Sequence, residues 1–150
     1  MPRTASPYDV LVMDHIRNAR NYFVLDDENR KAIGANPLCG DELTVYLRIE
    51  HDCVEKIAFQ CACCGIAMAS ASIMTEMVKK QDTTRARMLL RAFLAMLSNR
   101  THSRVHGVTR EQLAILETVR KFPSRSGCAA LPWTTLERAL DNLQESVLVR

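Results

Sequence analysis

Apolar residues recur along the chain at two different periods, and the switches between them mark out its elements. Tyr8, Leu11, Val12 and His15 fall at helical spacing and run into the polar Arg17-Asn18-Ala19-Arg20-Asn21, predicting an amphipathic helix over 8–21. Residues 24–42 are rich in Asp, Asn, Gly and Pro and read as irregular chain, with one short strand around Lys31–Ile33. Leu43 to Ile49 alternates apolar with polar residues, the mark of a half-buried strand. Glu50-His51-Asp52 makes a turn, and Val54 to Cys61 is a second strand with Ile57 and Phe59 facing inward. The two strands are therefore expected to pair as an antiparallel hairpin.

From Gly65 the period changes to about 3.6. Ile66, Ala69, Ile73 and Met77, among the small residues Ala67, Ser70, Ala71 and Ser72, describe a helix able to pack closely. A second helix is expected over 83–99, burying Ala86, Leu89, Leu90, Phe93, Leu94 and Leu97 and turning Arg85, Arg87 and Arg91 outward. Residues 100–107, with His102 and His106, read as a mobile surface loop. Thr109-Arg110-Glu111-Gln112 fits a capping box for a helix through Val119. The segment 122–128 breaks that helix and presents Cys128 on a loop. A closing helix from about Thr134 then buries Leu136, Leu140, Leu143 and Val147. No repeat, low-complexity tract or linker divides the chain, so 1–150 reads as one domain.

Composition narrows the class. A chain of 150 residues can bury a substantial core, and 47% hydrophobic with 25% charged residues is globular usage. A formal net charge of +3 is too mild to argue for nucleic acid, which is not an expected partner. The first residues lack the apolar core of a signal peptide, and no apolar run approaches the roughly 18 residues of a membrane span. The sequence thus reads as cytoplasmic, without a membrane partner. In a reducing compartment its six cysteines, at 39, 53, 61, 63, 64 and 128, favour metal binding or thiol chemistry over three structural bridges.

Candidate chemistry centres on Asn36-Pro37-Leu38-Cys39-Gly40-Asp41, which sets a thiol and a carboxylate two residues apart on a tight turn. Cys64 and Cys128 are its candidate partners, giving three thiolates and one carboxylate, a tetrahedral set for zinc or a corner for an iron–sulfur cluster. Cys64 falls at the strand-to-helix junction, where unpaired N–H groups and the helix dipole favour a thiolate. His15, beside Asp14, reads as a hydrogen-bonded packing residue rather than a ligand. The Arg85, Arg87 and Arg91 face is either a solvated surface or a dock for an acidic partner.

Four motifs in order carry a resemblance to a known family. Asp14-His15 with Asn18 and Arg20-Asn21 resembles a D-H-x-x-N-P-R-N helix, with Ala19 in place of the proline. Asn36-Pro37-x-Cys39-Gly40-Asp41 matches N-P-x-C-G-D, and Cys64 precedes Ala69-Ser70-Ala71-Ser72 as in that family. Arg125-x-x-Cys128-x-x-Leu131-x-Trp133 resembles a closing motif in which many relatives instead carry a histidine directly before the cysteine. The chain resembles the NifU/IscU family of iron–sulfur cluster assembly proteins, nearest its SufU-type branch. An insertion over roughly 80–122 also fits that branch.

The resemblance implies an α+β fold, a small antiparallel β-sheet packed against several α-helices. It implies metal ligands Cys39, Asp41, Cys64 and Cys128, with cofactor contact through the three cysteines. In SufU-like proteins the site holds zinc and accepts persulfide sulfur from a cysteine desulfurase for downstream assembly or acceptor proteins. IscU-like relatives instead build a [2Fe–2S] cluster from iron there. Cys39, on an exposed turn, is the expected acceptor thiol of a zinc-dependent sulfurtransferase. Arg125 either holds negative charge on sulfur or contacts the partner, or is an ordinary surface arginine. The chain departs from the family at Phe59-Gln60-Cys61-Ala62-Cys63-Cys64, where both glycines of F-x-G-x-G-C are cysteines. Two readings stay open. Either Cys61 is a small core residue and Cys63 a spectator, or one of them joins the ligands or links reversibly to Cys64. Cys53 has no motif context.

Overall fold

The structure is a computed structural model that describes residues 7–99, 109–141 and 146–148. His102 and His106 lie outside the described residues. The expected α+β architecture is present, organised around a sheet with strand order β3-β2-β1-β4. Strands β1 (Arg30–Asn36), β2 (Asp41–Glu50) and β3 (Cys53–Ala62) pair antiparallel. A three-residue strand, β4 (Ser146–Leu148), adds parallel to β1 at the edge. The β2–β3 turn is the tight pair His51-Asp52, both at positive φ (53° and 57°), as a two-residue hairpin matched to strand twist requires.

Helices α1 (Pro7–Arg17), α2 (Gly65–Val78), α3 (Thr83–Asn99), α4 (Arg110–Lys121) and α5 (Ser126–Leu140) supply the other layer. Alternation in β3 sends Ile57 and Phe59 into the core, as their spacing predicts. On the opposite sheet face Leu25, Tyr46 and Ala58 make a small separate cluster. The capping box of α4 is formed in full: the Thr109 hydroxyl accepts the Gln112 amide N–H, and the Gln112 side chain accepts from the Thr109 N–H.

Several boundaries differ from the sequence reading. The first helix stops at Arg17, and the short strand expected around Lys31–Ile33 extends over seven residues to Asn36. The larger correction concerns the last helix. It begins at Ser126, not near Thr134, so Cys128 sits in its first turn and is fully buried rather than presented on a loop. Val147 belongs to β4, and Leu143 lies outside the described residues. Pro123, Gly127 and Pro132 hide this helix in the sequence. Pro123 opens a 3-10 turn, Pro123–Arg125, where its missing N–H costs little, and that turn leads straight into α5. Pro132 is carried inside the helix. Beneath these breakers, the buried positions 128, 129, 131, 132, 135, 136, 139 and 140 keep a helical period.

Close approach fixes α5 against β1. A Cβ on Gly34 would collide with Thr135 Oγ1 and lie 3.0 Å from Leu131 Cδ1, so only glycine lets the helix this near. On the far side Trp133 meets Phe93 of α3 at 4.9 Å between ring centroids. The basic face of α3 is partly neutralised by α5 and its end: Arg91 pairs with Glu137 and Arg87 with Asp141. That favours the solvated-surface reading of these arginines over a dock for an acidic partner.

Candidate metal and sulfur site

The site is assembled where three chain segments meet at one end of the sheet. The first is the β1–β2 turn. Asn36 Oδ1 accepts the Leu38 N–H at 3.2 Å, while the Asn36 carbonyl accepts the Cys39 N–H at 3.2 Å. This side-chain-mimicked turn is what Asn before Pro is suited to build. Gly40 completes it at φ 70°. Leu38 is 87% exposed, and Cys39 beside it is half-buried. Asp41, the first residue of β2, is buried at 4% exposure.

The second segment is the start of α2, where Cys64 is the N-cap residue. Its side chain makes no capping bond; its backbone N–H instead donates to Asp41 Oδ1 at 2.9 Å. The third is the first turn of α5. There the Cys128 thiol donates to Cys39 Sγ at 2.9 Å, and the Asn36 side-chain amide lies 3.8 Å from the same sulfur. Cys39, Asp41 and Cys128 each offer a ligand atom within 4.8 Å of the others. Cys64 borders the group through its side-chain contact with Cys128.

Two features suit the cluster to holding a cation. Asp41 Oδ2 is buried with no hydrogen-bond partner, a costly arrangement that a Lewis acid would relieve. Burial first, and then the neighbouring Cys39, Asp41 and Cys64 side chains, raise the pKa of the Cys128 thiol. A buried thiol that resists ionising is what a bound cation would stabilise as a thiolate. The donor set therefore fits zinc, and it fits an iron–sulfur cluster equally by ligand type.

Arg125 faces this cluster. It hydrogen-bonds the Cys128 side chain, and with the fields of Cys64 and Cys39 this raises its own pKa. Arg125 and Cys64 also line a cleft of about 280 Å³ with Ile16, Gly65, Ile66, Thr118 and Phe122. Phe122 is 57% exposed at its rim. The cleft offers a route from solvent to sulfur.

Other candidates fall elsewhere. His15 is buried with Nδ1 2.7 Å from Ser72 Oγ, which also accepts the Arg20 backbone N–H at 2.9 Å. Asn21 Nδ2 donates to Thr75 Oγ1 at 2.9 Å, and Arg20 pairs with Asp14 at 2.6 Å. The motif helix is thus a clasp on α2, and burial lowers the His15 pKa, with Arg20 adding to the effect. Ser70, the other serine of Ala69-Ser70-Ala71-Ser72, donates to the Ala129 carbonyl at 2.7 Å and accepts Trp133 Nε1–H at 3.0 Å. That bond anchors α5 one residue beyond Cys128. Cys53 begins β3, at the end of the strand away from the site. The positioning roles of Asn36 and Ser70 escape the sequence reading, although the Asn-Pro turn signal points to the first.

Cys61 and Cys63 are joined to each other by a disulfide. Cys61 packs inward against the core, as one reading holds, and its sulfur lies 4.0 Å from Met68 Sδ. The bridge is one that neither reading names: Cys63 is not a spectator, and the expected link to Cys64 does not form, since Cys64 stays free.

Comparison with known proteins follows the same lines. The NifU-like N terminal domain family matches residues 7–129. The zinc-dependent sulfurtransferase SufU of Bacillus subtilis (strain 168) is 34% identical over 133 residues, 89% of this chain and 88% of that protein. The iron-sulfur cluster assembly scaffold protein IscU of Streptococcus pyogenes serotype M1 is 30% identical over 133 residues, 89% and 82% of the two chains. Among solved structures, a putative iron-sulfur cluster assembly scaffold protein for the SUF system from Fervidobacterium islandicum AW-1 superposes with TM-score 0.79 at 25% identity. The match covers 91% of this chain and 96% of that one. A NifU-like protein (N-terminal) from Brucella abortus shares the fold with TM-score 0.78 at 21% identity, over 90% and 92% of the chains.

Proposed function

Since this chain belongs to the NifU-like N terminal domain family, we propose that it serves iron–sulfur cluster assembly as a SufU-like, zinc-bound sulfur-transfer protein working as one domain in the cytoplasm. The observation that carries this reading is the meeting of Cys39, Asp41 and Cys128, with one Asp41 oxygen buried and unpartnered and Arg125 on the Cys128 sulfur. Among the described residues no helix is long and apolar enough to cross a membrane.

Cys39, Asp41, Cys64 and Cys128 would hold the zinc, which when bound keeps the thiols ionised at neutral pH. As the hard donor in a soft set, Asp41 weakens the site enough for exchange. Cys39, next to the exposed Leu38, is the thiol a partner reaches first. Its thiolate attacks the outer sulfur of a cysteine desulfurase persulfide. The partner's S–S bond breaks, the desulfurase thiolate leaves, and Cys39 carries the sulfur as its own persulfide. Arg125 holds the negative charge that the sulfurs share during this exchange. Downstream assembly or acceptor proteins then take the sulfur.

A second reading, a scaffold on which a [2Fe–2S] cluster is built as cargo, uses the same donors and draws support from the IscU relatives. One local feature favours the first reading. A Cβ at Gly127 would sit 3.0 Å from Asn36 Nδ2, so a histidine directly before Cys128 would press on the amide that faces that cysteine's sulfur. The test is cysteine desulfurase turnover with increasing amounts of this chain. Faster turnover, lost in Cys39→Ala, is expected; unchanged turnover across the range overturns the reading. A visible-absorbing cluster that survives transfer assays on a chain inactive with desulfurase would favour the scaffold.

A further inference from the structure

A sulfur accepted as persulfide is still at the sulfane level and needs two electrons to become the sulfide of a cluster. The chain carries a two-electron couple beside the acceptor site. Chain order and register bring it there: β2 and β3 pair Leu43 with Cys61 and Glu42 with Ala62, and Cys63 leaves the end of β3 next to the end of β2 that begins with Asp41. Cys61 faces inward with Ile57 and Phe59, and the bond to Cys63 keeps the second sulfur on that side. The next residue, Cys64, ties the same segment to Asp41 through its backbone N–H. Both cysteines of the pair are only partly buried.

We propose that reduced Cys61 and Cys63 act as a built-in dithiol that converts the accepted sulfane sulfur to hydrosulfide, the disulfide in this structure being the product state. The proposal rests on the sulfur-acceptance reading above. In the first step the Cys63 thiolate attacks the outer sulfur of the Cys39 persulfide. The S–S bond to Cys39 breaks, Cys39 leaves as thiolate, and Cys63 becomes the persulfide. In the second, the Cys61 thiolate attacks the Cys63 sulfur, hydrosulfide leaves, and the Cys61–Cys63 disulfide forms. Two cysteine sulfurs are oxidised by one electron each and the sulfane sulfur is reduced by two. The two thiol protons end on Cys39 and on the released sulfide. An external dithiol reductant returns the pair to its starting state.

The test uses the whole chain, fully reduced and then freed of reductant. It is loaded in parallel with cysteine desulfurase plus cysteine and with inorganic polysulfide, and released sulfide is assayed while disulfides are mapped by mass spectrometry. The expected result is about one hydrosulfide per persulfide loaded, matched by a new Cys61–Cys63 disulfide. Cys63→Ser should keep the sulfur on Cys39 and Cys61→Ser should keep it on Cys63. In both, release falls about tenfold or more and returns when dithiothreitol is added. Wild-type release from either serine variant, or release without the disulfide, overturns the proposal. Persulfide that stays on Cys39 of the reduced wild-type chain also overturns it, while leaving sulfur acceptance standing. Loading by polysulfide but never by desulfurase defeats sulfur acceptance instead, and the polysulfide arm still decides whether the dithiol reduces the sulfur.

Discussion

Two regions bury polar groups on either side of α2, and they treat them in opposite ways. Between α1, α2 and the first turns of α5, a set of polar side chains is paired: His15 and the Arg20 N–H share Ser72, Asn21 meets Thr75, and Ser70 joins Trp133 to the Ala129 carbonyl. At the N-terminus of the same helix, Asp41 keeps a buried oxygen without a partner, and the Cys39 and Cys128 thiols lie beside the carboxylate. Arg30 Nε and Arg138 Nε are also buried without a partner, so what sets Asp41 apart is an unpaired carboxylate oxygen beside two thiols. A satisfied network fixes helices to one another, whereas an unsatisfied one stands ready for a ligand.

The difference can be broken from either side. The largest effect is expected in the pocket. Cys128→Ser should lower zinc affinity by about a hundredfold or more, because apparent binding free energies of roughly 10–16 kcal/mol are shared among four donors. Competition against a chromophoric chelator measures this, and the thermal midpoint of the zinc-free chain should barely move. A zinc-free chain that unfolds outright would show that the metal merely holds the fold.

A smaller effect, of the opposite kind, is expected in the frame. Ser70→Ala removes the partner of both Trp133 Nε1–H and the Ala129 carbonyl. It should cost about 1–3 kcal/mol in denaturant unfolding, with zinc stoichiometry kept. Loss of zinc with unchanged stability would reverse the assignment of the two regions.

The smallest effect is a pH dependence of the frame. Burial lowers the folded-state pKa of His15 below its ordinary 6.5. The unfolded chain then binds the proton more readily, so the contribution is fully present above 6.5 and is lost as pH falls from there through the lowered value. Thermal melts of the chain should decline over that window, and His15→Gln should flatten the decline.

The sequence makes the frame's elements legible and its reasons less so. Alternation at 43–49 and 54–61, the capping box at Thr109, and the helical period of 65–77 and 83–99 all survive into the structure, since each is set by local periodicity and burial. The start of α5 does not show, because Pro123, Gly127 and Pro132 signal breaks that tertiary packing overrides. The same misreading put Cys128 on a loop. The thiol–carboxylate turn was readable from Asn36-Pro37 and Gly40. The unpartnered Asp41 oxygen and the Arg125 contact depend on segments far apart in sequence, and no local pattern encodes them.

The central claim is that Cys39, Asp41, Cys64 and Cys128 together form the metal site. Zinc-edge X-ray absorption on the purified, metal-loaded chain tests it most directly. The account expects one zinc with three sulfur neighbours at about 2.3 Å and one oxygen at roughly 2.0–2.2 Å, the oxygen lost in Asp41→Ala. Four sulfur neighbours, which would bring Cys61 or Cys63 into the shell and leave Asp41 out, would contradict it.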